Sequence, residues 1–126
     1  MNNQEQGVSF EAACQWHKKV NGKDYSALPI VDHLPVDMQK PVVSQYKLWV
    51  IAAALRENKK LKRGYYPWFW IDRAGSGSRF SCNAYDYAIV ISFVGARLEY
   101  PDRETAEYAA KQHEELYKDV FVIPED

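Results

Sequence analysis

The chain has 126 residues, 47% of them hydrophobic and 26% charged, which is the length of one domain and excludes a disordered or fibrous polymer. A net charge of −1 excludes a chain that binds polyanions over its whole surface, and the longest apolar run, around Leu48 to Leu55, is too short to span a bilayer. The charge is uneven: residues 56–79 carry seven basic groups against Glu57 and Asp72, a local +5, whereas residues 99–126 carry nine acidic groups against three basic ones, a local −6.

Residues 1–8 are expected to form a disordered tail ahead of a single α+β domain over 9–126. Ser9 is placed to cap a helix running to about Lys19, with Phe10, Ala13, Cys14 and His17 on its buried side and Asn21-Gly22 ending it. Residues 22–35 read as a connector pinned by Leu28, Ile30 and Leu34. A second helix starts between Val36 and Pro41, capped by Asp37 or Lys40, and runs to about Asn58. Val42, Val43, Tyr46, Trp49, Val50 and Ala53 form one apolar stripe on it, and Leu48, Ile51 and Leu55 a second, so it is expected to be central, with Lys47 on a narrow wet edge.

From Tyr65 the period becomes that of strands, at about 65–72, 78–84 and 96–100, with Gly75-Ser76-Gly77 as a hairpin turn. Residues 85–94 read either as a further strand or as an apolar loop. Asp102 caps a final helix over 103–118, whose buried stripe is Ala106, Ala109, Ala110, His113, Leu116 and Tyr117, and residues 120–123 follow as an extended tail. The expected architecture is therefore α+β: two N-terminal helices, a three- to four-stranded antiparallel sheet, and a C-terminal helix packed on one sheet face.

Alternation splits each strand into two faces. Tyr65, Phe69, Ile71, Phe80, Cys82, Ala96, Leu98 and Tyr100 go toward the helices. Tyr66, Trp68 and Trp70 then share the opposite face with Arg79, Ser81, Asn83, Arg97 and Glu99, just after the basic run Lys59, Lys60, Lys62 and Arg63. Flat rings beside cations suit single-stranded nucleic acid, where bases stack and phosphates are neutralised. The competing and favoured expectation is that this face is buried, by the N-terminal helix, by the 85–94 segment or by a second copy of the chain, with homo-oligomerisation as its preferred form.

Nothing in the sequence volunteers for catalysis. His17, His33 and His113 are scattered, Cys14-x-x-His17 supplies only two ligands, and no serine lies in a nucleophile elbow. Gly75-Ser76-Gly77-Ser78 lacks the lysine of a phosphate loop. Cys14 and Cys82 have no motif spacing, and the polar start Met1 to Gln6 has no signal-peptide pattern, so free thiols in a reducing cytoplasm are expected. No catalytic residue, metal, cofactor or membrane contact is expected.

Several segments occur in a fixed order: Tyr65-Tyr66-Pro67-Trp68-Phe69, Tyr85-Asp86-Tyr87, Val94-Gly95-Ala96-Arg97-Leu98, Thr105 to Gln112, and Leu116-Tyr117-Lys118-Asp119. In this order they resemble a family of small bacteriophage and prophage proteins with the pattern YYPWF, a tyrosine-rich stretch, VGSRLCF, ELAEYAGKQF and LYKD. The likeness covers about residues 9–121. It departs at Asn58 to Arg63, which is shorter and basic where the family has Gly-Trp-x-Pro-x-Trp, and at Ala96 and Glu99-Tyr100, where Ser and Cys-Phe are usual. The resemblance implies a phage or prophage origin in the cytoplasm of a bacterial host, and it carries over no catalytic residues. The combined reading is a non-enzymatic binding protein, with single-stranded nucleic acid as one partner and homo-oligomerisation or docking to a phage or host protein as the alternative.

Overall fold

The computed structural model describes residues 8–61, 64–71, 80–88 and 96–123, with the backbone alone at 68–71, 80–88 and 96. Helix α1 spans Phe10–Asn21 and α2 Val36–Leu55; strands β1 (Gly64–Ile71) and β2 (Phe80–Ala88) follow, then a 3-10 turn at Ala96–Leu98, α3 (Arg103–Gln112) and α4 (Glu114–Phe121). Among the described residues the structure is thus mostly helical, and the expected three- to four-stranded sheet is corrected there to a two-stranded antiparallel ribbon. The segment at 96–100, read as a strand, winds into the 3-10 turn and touches β1 through one bridge. In that bridge the Tyr65 N–H donates to the Tyr100 carbonyl at 2.9 Å and the Tyr100 N–H returns to Tyr65 at 2.7 Å.

Local chemistry explains both ends of α1. The Ser9 side chain accepts from the Ala12 N–H at 3.1 Å, and Gly22 closes the helix at φ 71°, a left-handed position that costs glycine nothing. Ala13, Cys14 and His17 face inward, as their spacing predicts. His17 Nε2 donates to the Val50 carbonyl at 3.0 Å and its Nδ1 accepts from Asn21 at 3.3 Å, so the imidazole cross-links α1 to α2. Cys14 is a free, buried thiol whose pKa is raised chiefly by that burial. Val8, placed in the tail by the sequence, is buried, and its N–H donates to the Tyr108 hydroxyl at 2.5 Å.

Helix α2 is apolar around most of its circumference, yet its two stripes are not equivalent. Leu48, Ile51 and Leu55 are all buried, whereas the other stripe is split: Val50 is buried, Val43, Tyr46 and Ala53 are half-buried, and Val42 and Trp49 are exposed. Ser44 lies on the buried side because its hydroxyl donates to Asp119 on α4 at 2.8 Å, and Lys40 sits 3.4 Å from the same carboxylate. Lys47 is half-buried, its ammonium 5.6 Å from the centre of the Phe10 ring. The connector is held by Tyr25, whose carbonyl accepts from the Tyr46 hydroxyl at 2.7 Å; Leu28 and Ile30, expected to pin it, are exposed.

The ribbon pairs Gly64 with Ala88 at one end and Ile71 with Phe80 at the other. Of residues 85–94, left open between strand and loop, 85–88 therefore belong to β2, and 89–94 lie outside the described residues. The register slips between Trp68 and Phe69, so Ala84 and Cys82 have partners while Asn83 between them has none. Helix α3 lies against both strands. At Gly64 an added Cβ would sit 2.5 Å from the Glu99 Cβ, a side chain only 9% exposed, so the two segments approach this closely only because the residue is glycine. Gly64→Ala is expected to cost about 1–3 kcal/mol as overpacking, read as a lower midpoint in urea unfolding.

The expected single C-terminal helix is two. Asp102 caps α3, accepting from the Thr105 N–H at 2.8 Å, but His113 leaves the helix at φ −119°, ψ 30° and α4 starts immediately after it, continuing to Phe121 where an extended tail was expected. His113 is buried, and among the described residues its Nε2 has no hydrogen-bond partner. Burial lowers its pKa below the ordinary 6.5, with a backbone hydrogen bond at Val8 pulling the other way. The folded state thus holds the neutral ring, and the unfolded chain takes up the proton first as pH falls below about 6.5. Stability is expected to drop as pH falls from 7 to 5, and the drop should be smaller in His113→Gln, measured by urea midpoints at both values.

Candidate functional site

Among the described residues, those assigned to the outer sheet face do not all lie on an open surface. Tyr66 is only 6% exposed and belongs to the interior, and Glu99, assigned to the same outer face, is buried over Gly64. Burial raises the Glu99 carboxyl pKa, opposed by the nearby Arg56 cation. Lys62, Arg63 and Arg79 lie outside the described residues, as do the Gly75–Gly77 turn and the side chains of Trp68, Trp70 and Asn83. Lys59, Lys60 and Arg97 are exposed.

Arg97 belongs to a different surface, built where α2 ends, and Lys59 and Lys60 follow that end in the chain. Trp49 is 40% exposed, and the Arg97 guanidinium carbon sits 5.7 Å from the centre of its ring, within cation–π range. The helix stops at Leu55, with the Arg56 and Asn58 N–H groups donating back to Ala52 at 2.9 Å and Ala53 at 2.8 Å. Glu57 at φ 55° and Asn58 at φ 59° then take two successive left-handed positions and lead the chain out to Lys59 and Lys60. Lys59 is 3.6 Å from Glu57, a pair too exposed to neutralise it for a ligand.

Arg97 reaches Trp49 from the 3-10 turn. Leu98 beside it is buried with Leu48 and Tyr117, and Arg56 donates from one terminal nitrogen to the carbonyls of Arg97 at 3.0 Å and Glu99 at 3.2 Å. Burial lowers the Arg56 pKa, with Tyr100 and Glu99 opposing. Trp49 and Arg56 were missed as site residues because the sequence reading assigned Trp49 to a core stripe. A signal was present, since seven residues separate them and two helical turns return to the same face.

Farther along that face, Val42 and Met38 are also exposed, so the aromatic end of the site continues into an apolar strip. Among the described residues, no group of three or more His, Cys, Asp or Glu is placed to hold a metal ion, and no helix is long and apolar enough to cross a membrane. No protein-family model, curated protein or solved structure matches the chain.

Proposed function

We propose that the chain is a non-enzymatic binding protein that holds single-stranded nucleic acid at the end of α2, on Trp49 and Arg97 with Lys59 and Lys60. The observation that carries this reading is the exposed Trp49 ring with a guanidinium over it at 5.7 Å. An indole offers any base a stacking surface, and the cations supply phosphate contacts, so binding should depend little on sequence and strongly on salt. Lys62 and Arg63 continue the basic run toward β1 in the sequence and extend the same charge. A phage or prophage setting in the bacterial cytoplasm is proposed on the ordered motifs alone.

The test is titration of a labelled oligothymidylate into the protein at two salt concentrations, following anisotropy and tryptophan quenching. Neutralisation of three phosphates predicts a slope of about −2 in log affinity against log salt, at about −0.7 per contact on a single strand. Absence of binding at tens of micromolar rejects the reading.

The second reading is protein docking, favoured by the exposed strip of Met38, Val42 and Trp49 on one face of α2. A mass that rises with protein concentration, with loss of oligothymidylate binding as it rises, would select self-association through that strip.

A further inference from the structure

We infer that Arg56 is the positioning residue of this surface: it clamps the Ala96–Leu98 turn so that the Arg97 guanidinium stays over Trp49. Only its binding arm rests on the proposed function; the clamp itself is a statement about the free protein. A three-residue 3-10 turn satisfies few of its own backbone groups, and its exit carbonyls need donors from elsewhere. Arg56 meets that need, its single terminal nitrogen bonding the carbonyls of Arg97 at 3.0 Å and Glu99 at 3.2 Å. These two carbonyls flank Leu98, which is buried with Leu48 and Tyr117. The backbone of Arg97 is therefore fixed from both sides, by an apolar plug and by a cationic clamp.

The identity of residue 56 follows from the task. A guanidinium is planar, stays charged when half-buried, and presents two N–H groups on one nitrogen in a fixed geometry. A lysine ammonium is more strongly hydrated and its stem more mobile, so it would hold the same two carbonyls less firmly. Arg56 is the C-cap of α2, seven residues after Trp49, so the clamp and the ring are anchored at the same end of that helix. It acts through Arg97 and needs no contact with a ligand itself.

The test compares Arg56→Gln, Arg97→Ala and the double variant in the full chain labelled with 5-fluorotryptophan. The Trp49 fluorine resonance is assigned by its disappearance in Trp49→Phe. Without any ligand, Arg56→Gln is expected to move that resonance in the same direction as Arg97→Ala, and the double variant to move it no further. In oligothymidylate titrations each single variant should lose about two- to fivefold in affinity, the share of a cation–π contact, and the double variant no more than Arg97→Ala alone. Arg56→Lys should fall between Arg56→Gln and the parent in both readouts, and it carries the comparison if Arg56→Gln does not fold. A Trp49 resonance unmoved by the Arg56 substitutions, or a binding loss that adds to that of Arg97→Ala, would overturn the inference. Should the parent protein bind no oligothymidylate, the proposed function fails while the fluorine arm still decides the clamp.

Discussion

Trp49→Ala is expected to weaken oligothymidylate binding about 5- to 150-fold, the equivalent of about 1–3 kcal/mol of base stacking. The same substitution should shift unfolding by no more than about 1 kcal/mol, because the side chain is 40% exposed and not part of the packed interior. Arg97→Ala should act differently, flattening the salt dependence by about 0.7 in slope as one phosphate contact is lost. Arg97→Lys should restore the slope but not the full affinity, since an ammonium keeps the charge and loses the planar stack. Tyr66 supplies the contrast. At 6% exposure its removal should cost about 3–5 kcal/mol of stability, a core effect rather than a lost base contact. If Trp49→Ala unfolds the protein, or leaves binding at the parent level, the surface at the end of α2 is not a stacking platform. Anisotropy titrations paired with urea unfolding separate these outcomes.

What the sequence revealed and what it hid divide along the range of the interactions concerned. The caps at Ser9 and Asp102 and the left-handed Gly22 are written in adjacent residues, and the helices they delimit were legible. The orientation of α2 was not. A helix with apolar residues on nearly all sides carries no periodic signal for which side is covered; that side is marked by contacts with distant segments, such as Ser44 with Asp119, 75 residues away, and Trp49 is left exposed. The segment at 96–100 has the alternation of a strand, yet its carbonyls found a donor in Arg56, 41 and 43 residues earlier in the chain. A side-chain donor took the place of a strand ladder, and short apolar alternation cannot distinguish the two. The break at His113 interrupts a stripe whose spacing is unbroken, and it involves neither glycine nor proline. The surface proposed for binding was therefore half visible: Lys59 and Lys60 were legible in a basic run, while the exposure of Trp49 and the placing of Arg97 over its ring depended on contacts between distant segments.

Tyr100 is expected to control stability at high pH. It is fully buried, its backbone bridges to Tyr65 in both directions, and its hydroxyl shares a 2.5 Å hydrogen bond with that of Tyr117. Burial pushes its phenol up to about 12, against smaller pulls downward from the Tyr117 hydrogen bond and the Arg56 cation. The folded-state pKa thus lies above the unfolded value near 10, so the unfolded chain releases the proton first as pH rises. The stability linked to this group is complete below about pH 10 and is lost between about 10 and 12, on the order of 3 kcal/mol for a shift of two units. Tyr100→Phe removes the titrating group and should flatten that alkaline loss, while costing about 1–3 kcal/mol at pH 7 because the Tyr117 hydroxyl loses this partner. Tyr100→Ala should cost about 3–5 kcal/mol, since it also opens a cavity. Urea midpoints at pH 7 and pH 11 decide the matter. An alkaline loss in Tyr100→Phe as large as in the parent would assign it to other groups and remove Tyr100 from the account.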